Sequence, residues 1–212
     1  MLLQNIFTDN NVAWMDGSGP DSDIVLSSRI RLARNFKEIP FPGRASTSQL
    51  STIKTRILDT LDDISAATKT SYICIDIDKL TNLQKNVLIE KRFISGKFIK
   101  HTEFRSLILS ADSNVAIMIN EEDHLRIQAM AQGLDLKTAY VVASEVDDLL
   151  EKSLDISFNE HIGYLTACPT NLGTGLRASV MVHLPGLVST KQINQIINAA
   201  PQLRSEEHTS EL

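Results

Sequence analysis

Three stretches concentrate the reactive side chains of this 212-residue chain. The segment Asn120-Glu121-Glu122-Asp123-His124-Leu125-Arg126 sets carboxylates beside a histidine and an arginine. The segment Asp23-Ile24-Val25-Leu26-Ser27-Ser28-Arg29-Ile30-Arg31-Leu32-Ala33-Arg34-Asn35 supplies arginines at alternate positions. The third, Cys168-Pro169-Thr170-Asn171-Leu172-Gly173-Thr174-Gly175-Leu176-Arg177, joins a cysteine, a glycine-rich turn and another arginine. A carboxylate can grip two N–H groups of a planar cation and accept a proton as a bond forms. Arginine forks match phosphate oxygens, and phosphoryl transfer is mostly positioning and charge neutralisation. Together these residue types suit the movement of a phosphoryl group onto a protonated nitrogen that is a poor nucleophile on its own. Taken singly, each has a blander reading: an acidic run is ordinarily a solvated turn, and a paired arginine ordinarily lines a solvent-facing strand edge.

The elements that must position these residues can be read from periodicity. Ile24 to Leu32 alternates as a strand, with Ile24, Leu26, Ile30 and Leu32 facing one way and Val25, Ser27, Arg29 and Arg31 the other. Ser46 to Ile64 has helical spacing at Leu50, Ile53, Ile57, Leu58 and Leu61, with Ser46 or Thr47 as its cap. Tyr72 to Ile77 reads as a strand that puts Cys74 in the core. Thr81 with Gln84 forms a capping box that opens a helix through Val87, Leu88 and Phe93. Phe104 to Ser110 and Val115 to Asn120 are strands, the second apolar on both faces and therefore central. Leu125 to Met130 returns antiparallel. Leu136 to Leu154 is a helix with Val141, Val142, Val146, Leu149 and Leu150 on one face. Ile162 to Ala167 and Ala178 to Leu184 are the last strands, and Ser189 caps a final helix through Ile193, Ile196 and Ile197. Strand pairs with interspersed helices favour an α+β fold, an antiparallel sheet flanked by helices.

If strand geometry continues past Asn120, only one of Glu121 and Glu122 faces a substrate, and Glu122, His124 and Arg126 share a face. The run Gly173-Thr174-Gly175-Leu176-Arg177-Ala178 also fits the loose GxGxxA dinucleotide pattern. That fingerprint needs a strand before it, a helix after it and an acid about twenty positions on. Here a strand-like segment follows and Lys191 to Asn198 contains no acid, so glycines that let backbone approach phosphate explain the loop better.

Composition narrows the classes. An apolar fraction of 42% and a charged fraction of 22% are ordinary for a globular protein. A formal net charge of −5 argues against a general nucleic-acid binder. No apolar run approaches a membrane span, and Met1-Leu2-Leu3-Gln4-Asn5 lacks the basic and apolar regions of a secretory signal. Two cysteines do not make a disulfide framework. The expected compartment is the cytoplasm. His161 and His183 have no metal-ligand spacing with each other or with either cysteine, so no protein-held metal is expected.

The three stretches resemble the signature segments of the guanidino (phosphagen) kinase family, over essentially residues 14 to 203. Their setting is most similar to the bacterial branch that acts on arginine in proteins: Trp14-Met15, Gly19-Pro20 and Asp21-Ser22-Asp23 match its short start, where kinases of free guanidino compounds carry a helical domain of about a hundred residues. The resemblance implies ATP-dependent phosphorylation of arginine side chains, with magnesium carried by ATP. It implies marking of proteins for a Clp chaperone-protease and regulation of a heat-shock repressor. Its partners would be proteins with an accessible arginine, an activator protein and a second copy in a homodimer, with no nucleic acid and no membrane. Glu122 aligns with the catalytic glutamate of the family's Asn-Glu-Glu-Asp-His motif. Ser27, Ser28, Arg29, Ile30, Arg31, Arg126, Arg177, Ala178, Ser179, Val180 and Met181 align with ATP-binding positions. Arg92 falls where many relatives place a nucleotide-contacting histidine. Glu121 and Cys168 are expected at the substrate site. Cys168 has two readings, a thiol of low pKa near the guanidinium or an unreactive packing residue.

The resemblance also implies a second carboxylate in an Arg-Gly-x-Tyr-Gly-Glu segment that this sequence does not contain. On that reading residues 1–203 are part of a catalytic domain, and the 212-residue chain alone is inactive or nearly so. The last nine residues, Arg204-Ser205-Glu206-Glu207-His208-Thr209-Ser210-Glu211-Leu212, resemble translated sequencing adapter rather than native protein. Two other readings stand beside the main one: a kinase of a free guanidino compound, and a short protein that binds nucleotide without catalysis.

Overall fold

In a computed structural model of the chain, the residues described are 3–8 and 12–199. In chain order they form α1 (Leu3–Thr8), β1 (Val25–Arg34), α2 (Thr47–Leu58), α3 (Leu61–Thr68), β2 (Tyr72–Asp76), α4 (Asn82–Glu90), β3 (Ser106–Ser110), β4 (Val115–Ile119), β5 (Leu125–Gln132), α5 (Leu136–Ser153), β6 (Phe158–Asn159), β7 (Gly163–Tyr164), β8 (Leu176–Val182), α6 (Pro185–Ser189) and α7 (Ile193–Ala199). The proposed domain end at Leu203 and the adapter-like residues 204–212 lie outside the described residues. The described residues 182–199, with helices α6 and α7, belong to a separate small unit.

A six-stranded sheet of order β2-β3-β4-β5-β1-β8 organises the larger unit. The β2–β3, β3–β4, β4–β5 and β5–β1 pairings are all antiparallel, as the strand pairs in the sequence anticipate. Every residue of β3 and β4 is buried. Strand alternation then feeds two cores. Ile117 and Ile119 of β4, Ile127 of β5 and Ile30 and Leu32 of β1 pack with α2 and α5 on one face. Ala116 and Met118, with Leu107 and Leu109 of β3, pack on the other with Leu88 of α4, Phe93, Phe98 and Trp14. Each fully buried aliphatic side chain contributes roughly 1.5–3 kcal/mol. β1 and β5 carry the arginines: Arg31 sits opposite Gln128 and Ala33 opposite Arg126. With Ile30, Leu32, Leu125 and Ile127 turned to the first core, those arginines occupy the opposite face.

Several local expectations are corrected. The helix expected over Ser46 to Ile64 is two helices. Ser46 caps α2 in a capping box with Gln49, but the Thr60 hydroxyl donates to the Ile57 carbonyl where α2 ends, and a new helix starts at Leu61. Thr81 and Gln84 form their capping box, and α4 stops at Glu90 rather than running to Phe93. Cys74 is exposed instead of core, because β2 is an edge strand and the residue points away from the buried Ile75. Val141 is 56% exposed. The buried stripe of α5 runs through Ala139, Ala143, Val146 and Leu150, where small alanines let the helix lie close to the sheet. The strand expected over Ile162 to Ala167 shrinks to β7. Ser189 ends α6 rather than capping α7, since Pro185 at its first turn starts a helix earlier.

Candidate active site

β4 ends at Ile119, and Asn120 turns the chain with a φ of 60°. Asparagine tolerates that left-handed conformation better than most residues. Its side-chain amide fixes the turn by donating to the carbonyls of Leu50 and Phe104, each at 3.0 Å. The turn overrides strand alternation, so Glu121 and Glu122 both line one cavity, contrary to the expectation that only one would. It also corrects the face assigned to His124, which is fully buried. Its Nδ1 accepts from the Phe36 amide, leaving Nε2 to donate to the Pro40 carbonyl at 2.9 Å. Burial holds its pKa below the ordinary imidazole value, against the hydrogen bond to Pro40 and the charge of Asp123. His124 is therefore a neutral structural clamp, away from Glu122 and Arg126.

The cavity has a volume of about 630 Å³. Arg31 and Ala33 of β1, Arg126 of β5 and Arg177 of β8 form its floor, and Cys168, Thr170, Asn171 and Gly175 come from the loop before β8. Ser95, Gly96, Lys97 and Lys100, from the segment after α4, complete the lining. The two carboxylates differ in their surroundings. Glu121 is nearly buried, accepts from the Ser95 hydroxyl and pairs with Arg126 Nη1 at 2.5 Å. The Glu122 side chain is 36% exposed and lies 3.7 Å from Arg126 Nη2. Arg126 thus touches both carboxylates and the cavity.

A crowd of guanidinium groups surrounds this floor. Burial first, and then the charges of Arg92, Arg177 and Arg126, bring the pKa of Arg29 down to about 10. Burial again leads for Arg31, brought to about 9 with Arg29, Arg126 and Arg177 adding to it, while Glu121 pulls the other way. Arg31 Nε is buried with no hydrogen-bond partner among the described residues. Like charges this close, in a partly desolvated site, require an anion or many solvent dipoles between them. Arg29 Nε also donates to the Ser179 hydroxyl at 3.3 Å.

Not all the expected nucleotide residues reach the cavity. Arg31, Arg126 and Arg177 line it, and Arg29, Arg92 and Ser179 stand beside the same cluster. Ser27 and Ser28 are buried, and the Ser28 hydroxyl is used by the Gly133 carbonyl and the Asp135 amide. Ile30 belongs to the core on the other face. Ala178 and Val180 are exposed, and Met181 packs against the second core. Lys97 and Lys100 also line the cavity, and no sequence spacing marks them: they arrive through the fold of the segment after α4.

Buried polar pairs hold the loop from Cys168 to Gly175 in place. Arg34 pairs with Asp147 of α5 at 2.6 Å, donates to the Thr174 carbonyl and lies 3.4 Å above the Tyr164 ring. Asp123 accepts from both the Asn35 side chain and the Ala167 amide at 2.7 Å. Gly175 has a φ of 63°, and a Cβ there would come within 2.5 Å of Arg34 Nη1. Its carbonyl accepts from the Ala33 amide at 2.8 Å. The glycine therefore serves close approach to β1, where the sequence pattern leads one to expect approach to a phosphate. The Cys168 thiol lies 3.0 Å from the Thr170 hydroxyl, half-buried at the cavity wall.

Comparison with known proteins bears on the family and the fold. The sequence model of ATP:guanido phosphotransferase, C-terminal catalytic domain, matches residues 52–208. The chain is 47% identical to the protein-arginine kinase of Halothermothrix orenii over 199 residues, which is 94% of this chain and 56% of that protein. It is also 47% identical to the protein-arginine kinase of Bacillus subtilis over 203 residues, 96% of this chain and 56% of that one. The chain thus spans about half the length of the curated relatives it matches. Among solved structures, the duplicated taurocyamine kinase of Schistosoma mansoni, with bound transition state analog components, superposes with a TM-score of 0.78. That match covers 92% of this chain and 29% of that one at 23% identity, so it speaks to fold alone. A lombricine kinase matches with a TM-score of 0.69 and 27% identity, over 91% of this chain and 57% of its own.

Proposed function

The chain belongs to the ATP:guanido phosphotransferase family, and from that premise we propose that it phosphorylates arginine side chains in proteins, with ATP as donor. The observation that carries the proposal is one cavity lined by a cationic floor and two carboxylates. Arg31, Arg126 and Arg177, with Arg29 and Arg92 behind them, hold the phosphate chain; the charge crowding among them is relieved when its oxygens enter. The donor set is cationic, which fits a phosphate chain rather than a bare divalent ion, so magnesium would enter bound to the phosphates. Glu122 is the carboxylate placed to act on the acceptor, since Glu121 is committed to Ser95 and Arg126. As the guanidinium nitrogen attacks the terminal phosphorus, the bond to the departing diphosphate oxygen breaks, and Glu122 takes the proton that the nitrogen releases. Arg126 spans the carboxylates and the phosphate side, linking base and donor.

A protein substrate, rather than a free guanidino compound, is supported by the protein-arginine kinases that the chain matches at 47% identity. On the family resemblance of the sequence motifs, the proposal extends to a Clp chaperone-protease that takes up the marked proteins, an activator protein, a heat-shock repressor as substrate and a homodimer. ATP as donor fits a cytoplasmic setting; among the described residues no helix is long and apolar enough to cross a membrane.

The test is an assay of the protein at the length its gene encodes, given radiolabelled ATP with either an unfolded arginine-rich protein or free arginine. Acid-labile label in the protein is the expected result. Label in free arginine alone would overturn the choice of substrate. Nucleotide binding without transfer to either acceptor would overturn the enzymatic reading.

A further inference from the structure

Arg92 follows the last turn of α4 with a φ of 61°. Its amide donates to the Ile89 carbonyl and the next amide, of Phe93, to Leu88. This is the place after a helix end where glycine fits without steric cost, and the chain puts a long cation there instead. Backbone conformations of this kind persist where the surroundings over-determine them, and they gather at functional sites. Here both flanking carbonyls are held by side chains. Trp14 Nε1 donates to the Lys91 carbonyl at 3.3 Å, and Gln128 Nε2 donates to the Arg92 carbonyl at 2.8 Å. Trp14 is 2% exposed and is the chain's single tryptophan. Lys91 turns back to donate from Nζ to the Ile6 carbonyl at 2.7 Å, tying α1 to the same corner. Gln128 stands opposite Arg31 in the β1–β5 ladder, so the clamped peptide lies against the strands that carry the arginines, near enough for the charge of Arg92 to bear on Arg29.

We propose that Trp14 is a positioning residue for nucleotide binding: the amino-terminal segment straps onto the end of α4 and holds the Lys91–Arg92 peptide so that Arg92 meets the phosphates beside Arg29. Trp14 touches neither donor nor acceptor and acts through Arg92. The inference rests on the reading of Arg92 as a nucleotide contact, and it adds a segment more than seventy residues away in sequence to the binding machinery.

The test is a double-mutant cycle on the full-length protein, with magnesium–ADP affinity measured by calorimetry and thermal stability measured alongside. Trp14→Phe keeps an aromatic ring but removes the N–H together with part of the indole, so the melting temperature reads the packing loss separately from the binding loss. Arg92→Ala is expected to weaken ADP binding about tenfold and Trp14→Phe about threefold to tenfold, with the double variant no weaker than Arg92→Ala. If Trp14→Phe lowers the melting temperature yet binds ADP as the parent does, Trp14 only fills the core and the proposal fails. If Arg92→Ala binds ADP normally, the reading of Arg92 fails, and the strap with it. Should Trp14→Phe not fold, Gln128→Met removes the other donor at similar volume, and the same loss of ADP affinity, absent on an Arg92→Ala background, is required of it.

Discussion

Glu121 and Glu122 are neighbours in sequence and unlike in their commitments. Glu121 is tied to Ser95 and Arg126, whereas Glu122 faces the cavity with its side chain 36% exposed. Glu122→Gln should therefore reduce turnover by roughly 10²–10⁴-fold, the usual range for losing a positioned base, with ADP affinity nearly unchanged. Glu121→Gln should act on the donor side, raising the KM for ATP by loosening Arg126 and changing turnover at saturating ATP less. Steady-state kinetics with both substrates varied separates the two, and a Glu122→Gln enzyme with near-parental turnover would remove Glu122 as the base. At this scale the sequence was informative about identity and poor about direction. The residue types around Asn120 announce a carboxylate–arginine site, but strand alternation puts His124 beside Glu122 and Arg126. A single left-handed residue at Asn120 reversed that, and no periodicity encodes such a turn. Lys97 and Lys100 were invisible for a related reason: their place follows from where α4 stops.

Among the elements, the edge strand β2 depends on a clip. Asp76 pairs with Lys54 of α2 at 2.5 Å and with Lys79 at 2.8 Å, and accepts from the Ser106 hydroxyl. Although partial burial pushes its pKa up, hydrogen bonds from Lys54, Lys79 and Ser106 outweigh this and hold it well below the usual carboxylate range. A depressed folded-state pKa stabilises the fold above the unfolded value near 4, and that stability is lost as pH falls through the folded value. Asp76→Asn should thus melt at a lower temperature than the parent at pH 7, with the gap closing progressively below about pH 4. Melting curves from pH 2 to 7 check this, and a gap independent of pH would show that the carboxylate's charge is not what holds β2. The capping boxes at Ser46 and Thr81 and the doubly buried β4 were legible because each is written in a few adjacent residues. The break at Thr60 and the alanine face of α5 were not, since packing against the sheet decides both and no proline, glycine or large apolar residue marks them.

For the molecule as a whole, the cost of collecting Arg29, Arg31, Arg92, Arg126 and Arg177 should appear as a dependence of stability on anions. Inorganic triphosphate and ATP should both raise the melting temperature. A ligand at a hundred times its Kd adds about 2.7 kcal/mol to the stability of the state that binds it. Sodium chloride at matched ionic strength should do less, because it screens the cluster without bridging it. A folded protein whose melting temperature ignores triphosphate would rule out a phosphate site at this cluster. The order of the sheet carries a further consequence, for how the protein is made. β1 is the first strand to be synthesised, but its ladder partner is β5, with Ser27 opposite Gln132 and Arg34 opposite Leu125. At ribosomal rates of about 5–20 residues per second, the hundred or so residues between them take roughly 5–20 s to appear. For that interval the nascent chain carries Ile30 and Leu32 without the strand that pairs beside them or the helix α5 that packs over them, so the interval in which this protein is most open to a chaperone is set by its strand order and not by its stability once folded.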